Sequence, residues 1–183
     1  MRNHKACLCA KGGIAFQVGL LCLGLIGQQD RALALPLQPV LPTELAAQAA
    51  LVALKSCQTK GLQVSVSVVN REGNSLVLLR NQNAGKHTVE NSFNKAFTSV
   101  SFGGTYGVTS TRAIVAKQNA PKGIGAFPLP ADPIRSLSYS IGGVSIVSNG
   151  VVIGAIGVSG SPSGDLDEAC ALQGLQAIEP QLR

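Results

Sequence analysis

The reading of the fold turns on Val144-Ser145-Ile146-Val147-Ser148-Asn149-Gly150-Val151-Val152-Ile153-Gly154-Ala155-Ile156-Gly157-Val158. Two β-branched runs flank Ser148-Asn149-Gly150, and Asn-Gly in that setting is the strongest short-range signal for a β-hairpin. Further toward the N-terminus, Leu62, Val64, Val66 and Val68 alternate with Gln63, Ser65 and Ser67. That period of two predicts a strand with one buried face. Arg71-Glu72-Gly73-Asn74 turns it, and Leu76 to Leu79 returns as its partner.

Helical patterns surround the two hairpins. Thr43 to Lys60 starts at Pro42-Thr43-Glu44, stops at Gly61 and places Ala46, Ala50, Ala53 and Cys57 on one face. Ser163 to Leu182 reads as a last helix in which Cys170, Gly174 and Ala177 share a face. Small residues on both faces let the two helices approach closely, and a disulfide needs Cα atoms about 4.4 to 6.8 Å apart. A Cys57–Cys170 bridge is therefore expected, the alternative being two buried thiols. Between the hairpins, Thr88 to about Phe102 carries Val89, Ser92, Phe93, Ala96 and Phe97 as a stripe, with Gly103-Gly104 as its end. From Thr105 to Gly143 the chain is irregular, with a short helix over Thr109 to Gln118 and then Pro121, Pro128, Pro130 and Pro133. This order implies an α+β domain: an antiparallel sheet of two hairpins with the N- and C-terminal helices packed together on one face.

Composition narrows the function. Of 183 residues, 45% are hydrophobic and 13% charged, which excludes a disordered chain; 21 Gly without a triplet period exclude collagen. Two Tyr, five Phe and no Trp make a poor stacking platform for nucleic acid. The net charge of +6 is concentrated at the start, where Arg2, Lys5, Lys11 and Arg31 stand against Asp30. The remaining 11 basic and eight acidic residues are scattered, so no nucleic-acid partner is expected.

Residues 1–34 read as a cleavable secretion signal: a basic start, the apolar run Ile14 to Gly27, and Ala32-Leu33-Ala34 before the cut. The run has about 14 residues, too few for a helix across a bilayer core of about 30 Å. Gly19-Leu20-Leu21 before Cys22 lacks the small residues of a lipid-anchoring signal, and an uncleaved anchor is the rival reading. Residues 35–183 then form a single periplasmic or secreted domain with no membrane attachment, in a compartment where the Cys57–Cys170 bridge persists.

The stretches Val64-Ser-Val-Ser-Val-Val-Asn-Arg-Glu-Gly, Lys95-Ala96-Phe97-Thr98, and Gly150 to Gly160 running into Gly164-Asp-Leu-Asp-Glu-Ala169 together resemble the GlcG/HbpS-like haem-binding (haem-degrading) family. The likeness spans about Leu41 to Ile178 and is greatest to exported members with an Ala-Gly-x-His-Thr segment, here Ala84-Gly85-Lys86-His87-Thr88. It implies a profilin-like α/β sandwich, a homo-oligomer, and haem or a related tetrapyrrole as cofactor. The implied roles are slow haem degradation with an external reductant, haem or iron sensing, or an accessory part in glycolate use.

The residues then suggest a site. Iron in haem takes His, Cys thiolate, Met or Tyr. With His4 and Met1 in the leader and the cysteines bridged, His87, Tyr106 and Tyr139 are left as candidates, His87 first because it precedes a helix start beside Thr88. The bland alternative is a surface histidine. Lys86, Lys95 and Arg80 are candidate propionate partners. Lys95 interrupts the apolar stripe, or else snorkels from it. Phe93 and Phe97 are placed to pack on a porphyrin or simply in the core.

Other chemistries fare worse. The Gly157-to-Gly164 loop lacks a Walker lysine, and Asp165, Asp167 and Glu168 fill the following first turn, so they read as helix caps or a weak cation site rather than a phosphate cradle. One histidine beyond the leader gives no zinc pair, no Gly-x-Ser-x-Gly elbow is present, and no catalytic residue is assigned. The competing reading from another class is a non-haem small-molecule-binding or oligomeric scaffold module.

Overall fold

The computed structural model describes residues 37–119 and 134–182. The segment expected to be a secretion signal and the proline-rich run from Pro121 to Pro133 lie outside them. In chain order the elements are α1 (Thr43–Gln58), β1 (Ser65–Asn70), β2 (Ser75–Arg80), α2 (Thr88–Tyr106), α3 (Thr111–Gln118), β3 (Gly143–Ser148), β4 (Val151–Ser159) and α4 (Gly164–Ile178). A single 3-10 turn, Glu179–Gln181, follows.

The strands form one antiparallel sheet in the order β2-β1-β4-β3. Asn149 and Gly150 turn the second hairpin with φ of 47° and 78°, the two positive values of a type I′ turn. The first hairpin closes through Gly73 N–H on Asn70 O (3.0 Å) and Asn74 N–H on the Asn70 side chain (2.8 Å). The α1 and α4 helices pack on each other and on one face of the sheet, while α2 covers the other. The result is the expected α+β arrangement with the terminal helices together, consistent with a profilin-like sandwich.

Close approach of α1 and α4 follows from their small residues. A methyl on Gly174 would stand 2.5 Å from Ala49 O, and Ala46, Ala49, Ala50 and Ala53 are fully buried. At this seam Cys57 and Cys170 form the disulfide, with Cα atoms 5.7 Å apart and a sequence separation of 113. The seam continues into the main core, where Val64, Val66 and Val68 of the first strand region meet Ile146, Ile153, Ile156 and Val158.

Two expectations change. The serines of β1 do not face water: Ser65 and Ser67 are buried and bond Thr88 Oγ1 (2.7 Å) and Ser92 Oγ (2.8 Å) on α2. Hydroxyls thus replace apolar atoms on a covered face, each satisfying the other. The second concerns the end of α2, which runs through Gly103-Gly104 to Tyr106. Gly107 caps it in the left-handed region, φ 65°, with its N–H on Gly103 O at 3.2 Å. Gly103 serves packing instead, since a Cβ there would lie 2.7 Å from Ser145 Oγ.

Candidate functional site

At the end of the sheet where β1 begins and β4 finishes, Ser65 pairs with Ser159. Above that end lies an open groove of about 640 Å³, within the range of ligand pockets. One wall is the start of α2: Thr88, Asn91 and Lys95 recur at three and four residues, so they share a helix face. The opposite wall is the Ser159–Gly164 loop with Asp167 of α4; Tyr139, Ser140 and Ile141 close one side, and Val115 of α3 contributes another apolar contact.

The groove rests on a buried ion pair. Lys95 Nζ lies 2.7 Å from Asp167 Oδ2, with the two side chains 3% and 4% exposed. Lys95 also donates to Val158 O (3.0 Å), and Asp167 Oδ1 accepts from Ser161 N–H (3.0 Å). Removal from water is costly for both charges, and only close pairing with further hydrogen bonds offsets it. The pair ties α2, β4 and α4 together beneath the ligand space. Gly142 and Gly143 are buried against Lys95.

A second set of bonds holds the sides. Asn91 Nδ2 donates to Ser159 Oγ (2.9 Å), and Asn91 Oδ1 accepts from Ser138 Oγ (3.2 Å), which also bonds Ser140 Oγ (2.8 Å). Ser138 N–H donates to Thr98 Oγ1 (2.7 Å), so the 138–141 segment is stitched along α2. On α3, Arg112 bridges Asp165 and Glu168. Hydrogen bonds to Asp165 first, and then to Glu168, raise its pKa above the usual guanidinium value.

These bonds correct the reading of the three carboxylates as caps. Ser163 caps α4 by accepting from Leu166 N–H at 3.4 Å, while Asp167 holds Lys95 and Ser161, and Asp165 and Glu168 hold Arg112. No cluster suited to a metal ion occurs among the described residues.

Of the residues singled out from sequence, His87, Thr88, Lys95 and Tyr139 line the groove. His87 occupies the N-cap position of α2, exposed at the rim, with its carbonyl accepting from Asn91 N–H (3.0 Å). Lys86 and Arg80 lie outside the lining. Arg80 instead bonds Ala84 O and Gln82 O, shaping the loop that leads to His87. Tyr106 is at the other end of α2 with its ring 5.6 Å from that of Phe102. Phe93 and Phe97 sit 5.9 Å apart away from the groove, Phe93 in a small core with Val69, Ala96 and Val100, and Phe97 over Gly73. Asn91, Ser159, Ser161, Ile141 and Val115 were not anticipated. Only Asn91 had a signal, lying midway between His87 and Lys95 at four residues from each.

Comparison with known proteins agrees with this architecture. The family model described as haem degrading protein HbpS-like matches residues 41–176. A crystal structure of HbpS is 31% identical with a TM-score of 0.66, covering 79% of this chain and 94% of that one. A double mutant of Streptomyces reticuli HbpS is 27% identical with a TM-score of 0.65, covering 92% and 98%. The structure of a PduOC:heme complex, 24% identical with a TM-score of 0.62 over 76% and 96%, shares the fold. No curated protein matches the chain. With the family model spanning α1 through most of α4, the chain belongs to the HbpS-like haem-degrading protein family.

Proposed function

We propose that this protein is an exported haem-binding protein that takes the macrocycle into the groove beside His87. The observation that carries the reading is that the one histidine beyond the leader stands at the rim of the groove, with Tyr139 also in the lining. The lining fits such a guest: Val115, Ile141, Pro162 and the Tyr139 ring offer apolar contact, while Asn91, Ser140, Ser159 and Ser161 offer hydrogen bonds. Bound haem supplies an iron centre able to exchange electrons and meet oxygen. For its part, the chain presents an imidazole nitrogen from His87 and orients the ligand edge with hydroxyls and the Asn91 amide. Lys95 contributes less charge than its type suggests, because Asp167 already balances it.

Slow haem degradation with reductant from outside, or haem and iron sensing, are the roles this reading supports. The exposed Leu51, Leu78 and Leu172 provide apolar surface for a homo-oligomer. One observation favours a second reading: the many hydroxyls of the lining suit a small polar ligand, as in a non-haem binding or scaffold module, including a glycolate-linked accessory protein.

Haemin titration followed by absorbance decides between them. The parent should show saturable binding with a Soret shift, and His87→Ala a changed or lost spectrum. Binding unaltered by that substitution would keep haem and move the iron contact to Tyr139, to be tested with Tyr139→Phe. Absence of saturable binding would favour the small polar ligand.

A further inference from the structure

We propose that Gly85 is the positioning residue of His87, seating the imidazole at the groove by having no side chain of its own. The inference rests on the reading of His87 as the residue that meets haem. A Cβ placed on Gly85 would stand 2.8 Å from His87 Cε1 and 3.1 Å from Nδ1. The ring edge therefore occupies the space that any other residue at this position would fill.

Two features make the ring, and not the backbone, the part that yields. Gly85 O accepts from both Thr88 N–H (3.1 Å) and Thr88 Oγ1 (2.6 Å), and that hydroxyl also bonds Ser65 Oγ on β1 (2.7 Å). Upstream, Ala84 is buried and its carbonyl accepts from Arg80, while Asn81 exchanges bonds with Val64, N–H to O at 2.9 Å and Oδ1 from N–H at 2.9 Å. The loop is thus anchored to the sheet on both sides of Gly85. His87, by contrast, is exposed and makes no side-chain capping bond.

Gly85 is not among the residues of positive φ, so an alanine is compatible with the backbone. The next neighbour, Thr88 Cγ2 at 3.4 Å, is an ordinary contact. Gly85→Ala accordingly adds one methyl whose close encounter is with the imidazole. Groups that hold a metal-ligating ring in its orientation commonly matter about 10- to 100-fold to metal affinity.

The test uses the full chain as parent, Gly85→Ala and His87→Ala. In haem-free protein, the Cε1–H proton resonance of His87, assigned by its loss in His87→Ala, should move in Gly85→Ala. With haemin, Gly85→Ala should bind about ten-fold more weakly with a displaced Soret band. An unmoved resonance and a parental titration in Gly85→Ala, with His87→Ala still defective, would overturn the positioning role and leave the haem reading standing. A parental titration in His87→Ala would remove His87 from the iron and the proposal with it. If Gly85→Ala lowers the Tm, the same change made in the His87→Ala background should lower it less, because the colliding ring is gone. Equal losses in both backgrounds would overturn the proposal.

Discussion

Lys95 and Asp167 are each almost wholly buried, and neither charge is tolerable there without the other. Lys95→Met or Asp167→Asn alone should each destabilise the fold by about 3 to 5 kcal/mol, since each leaves an unbalanced buried group. The double change Lys95→Met with Asp167→Leu should cost less than either single one, with a residue of about 1 to 3 kcal/mol from the deserted Ser161 N–H. Urea unfolding of the three variants checks this, and a double variant as unstable as the sum of the singles would contradict the pairing argument. From sequence, the lysine was conspicuous for breaking an apolar stripe. Its partner was not, because 72 residues separate them and no periodicity links positions that far apart. The β1 serines were misread for a different reason: a hydroxyl on an alternating strand looks the same whether it meets water or a hydroxyl on a covering helix. His87 and Thr88 stood out as a local motif, whereas Asn91, Ser159 and Ser161 become neighbours only once β4 lies beside β1.

Among the elements, α3 is held to α4 by the side chain of Arg112, about half exposed, through Asp165 and Glu168. The Asp165 pair is exposed and of a kind that contributes roughly 0 to 1 kcal/mol to global stability, whereas the Glu168 carboxylate is buried and loses its partner when Arg112 is removed. Arg112→Gln should therefore lower the Tm, chiefly through the unpaired Glu168, and amides of Thr111–Gln118 should exchange faster with deuterium, loosening the wall that carries Val115. Because pairing raises the Arg112 pKa, its stabilising contribution is fully present below the ordinary guanidinium value and is lost only as pH climbs through the raised one. Hence the guanidinium introduces no pH dependence near neutrality. The hairpins and helices were legible because their signals are local: Asn149-Gly150 for one turn, Gly73 for the other, and alternating or helical spacing between. The far end of α2 was not, since Gly103 looks like a stop while its lack of a side chain is used to admit Ser145.

In the whole molecule, the sheet is clasped between α2 on one side and the α1–α4 pair on the other, and the clasp is covalent where Cys57 meets Cys170. Small residues at helical spacing on both helices made this bridge readable in advance. Bridging 113 residues restricts the unfolded chain strongly, worth about 4 to 5 kcal/mol by loop entropy and about 2 to 5 kcal/mol in typical removals. A Cys57→Ala/Cys170→Ala variant should lose stability within the latter range by urea unfolding, and reducing agent should shift the parent toward it and leave the variant unmoved. The same bond changes how the protein bears mechanical load. Tension on the two ends passes directly from α1 to α4 through sulfur, bypassing the sheet and the groove. Roughly 400 Å of contour length, at about 3.5 Å per residue, stays locked behind the bond while it is intact. In an oxidised chain pulled from its termini, every residue that lines the groove lies within the length that cannot be drawn out until the bond is broken.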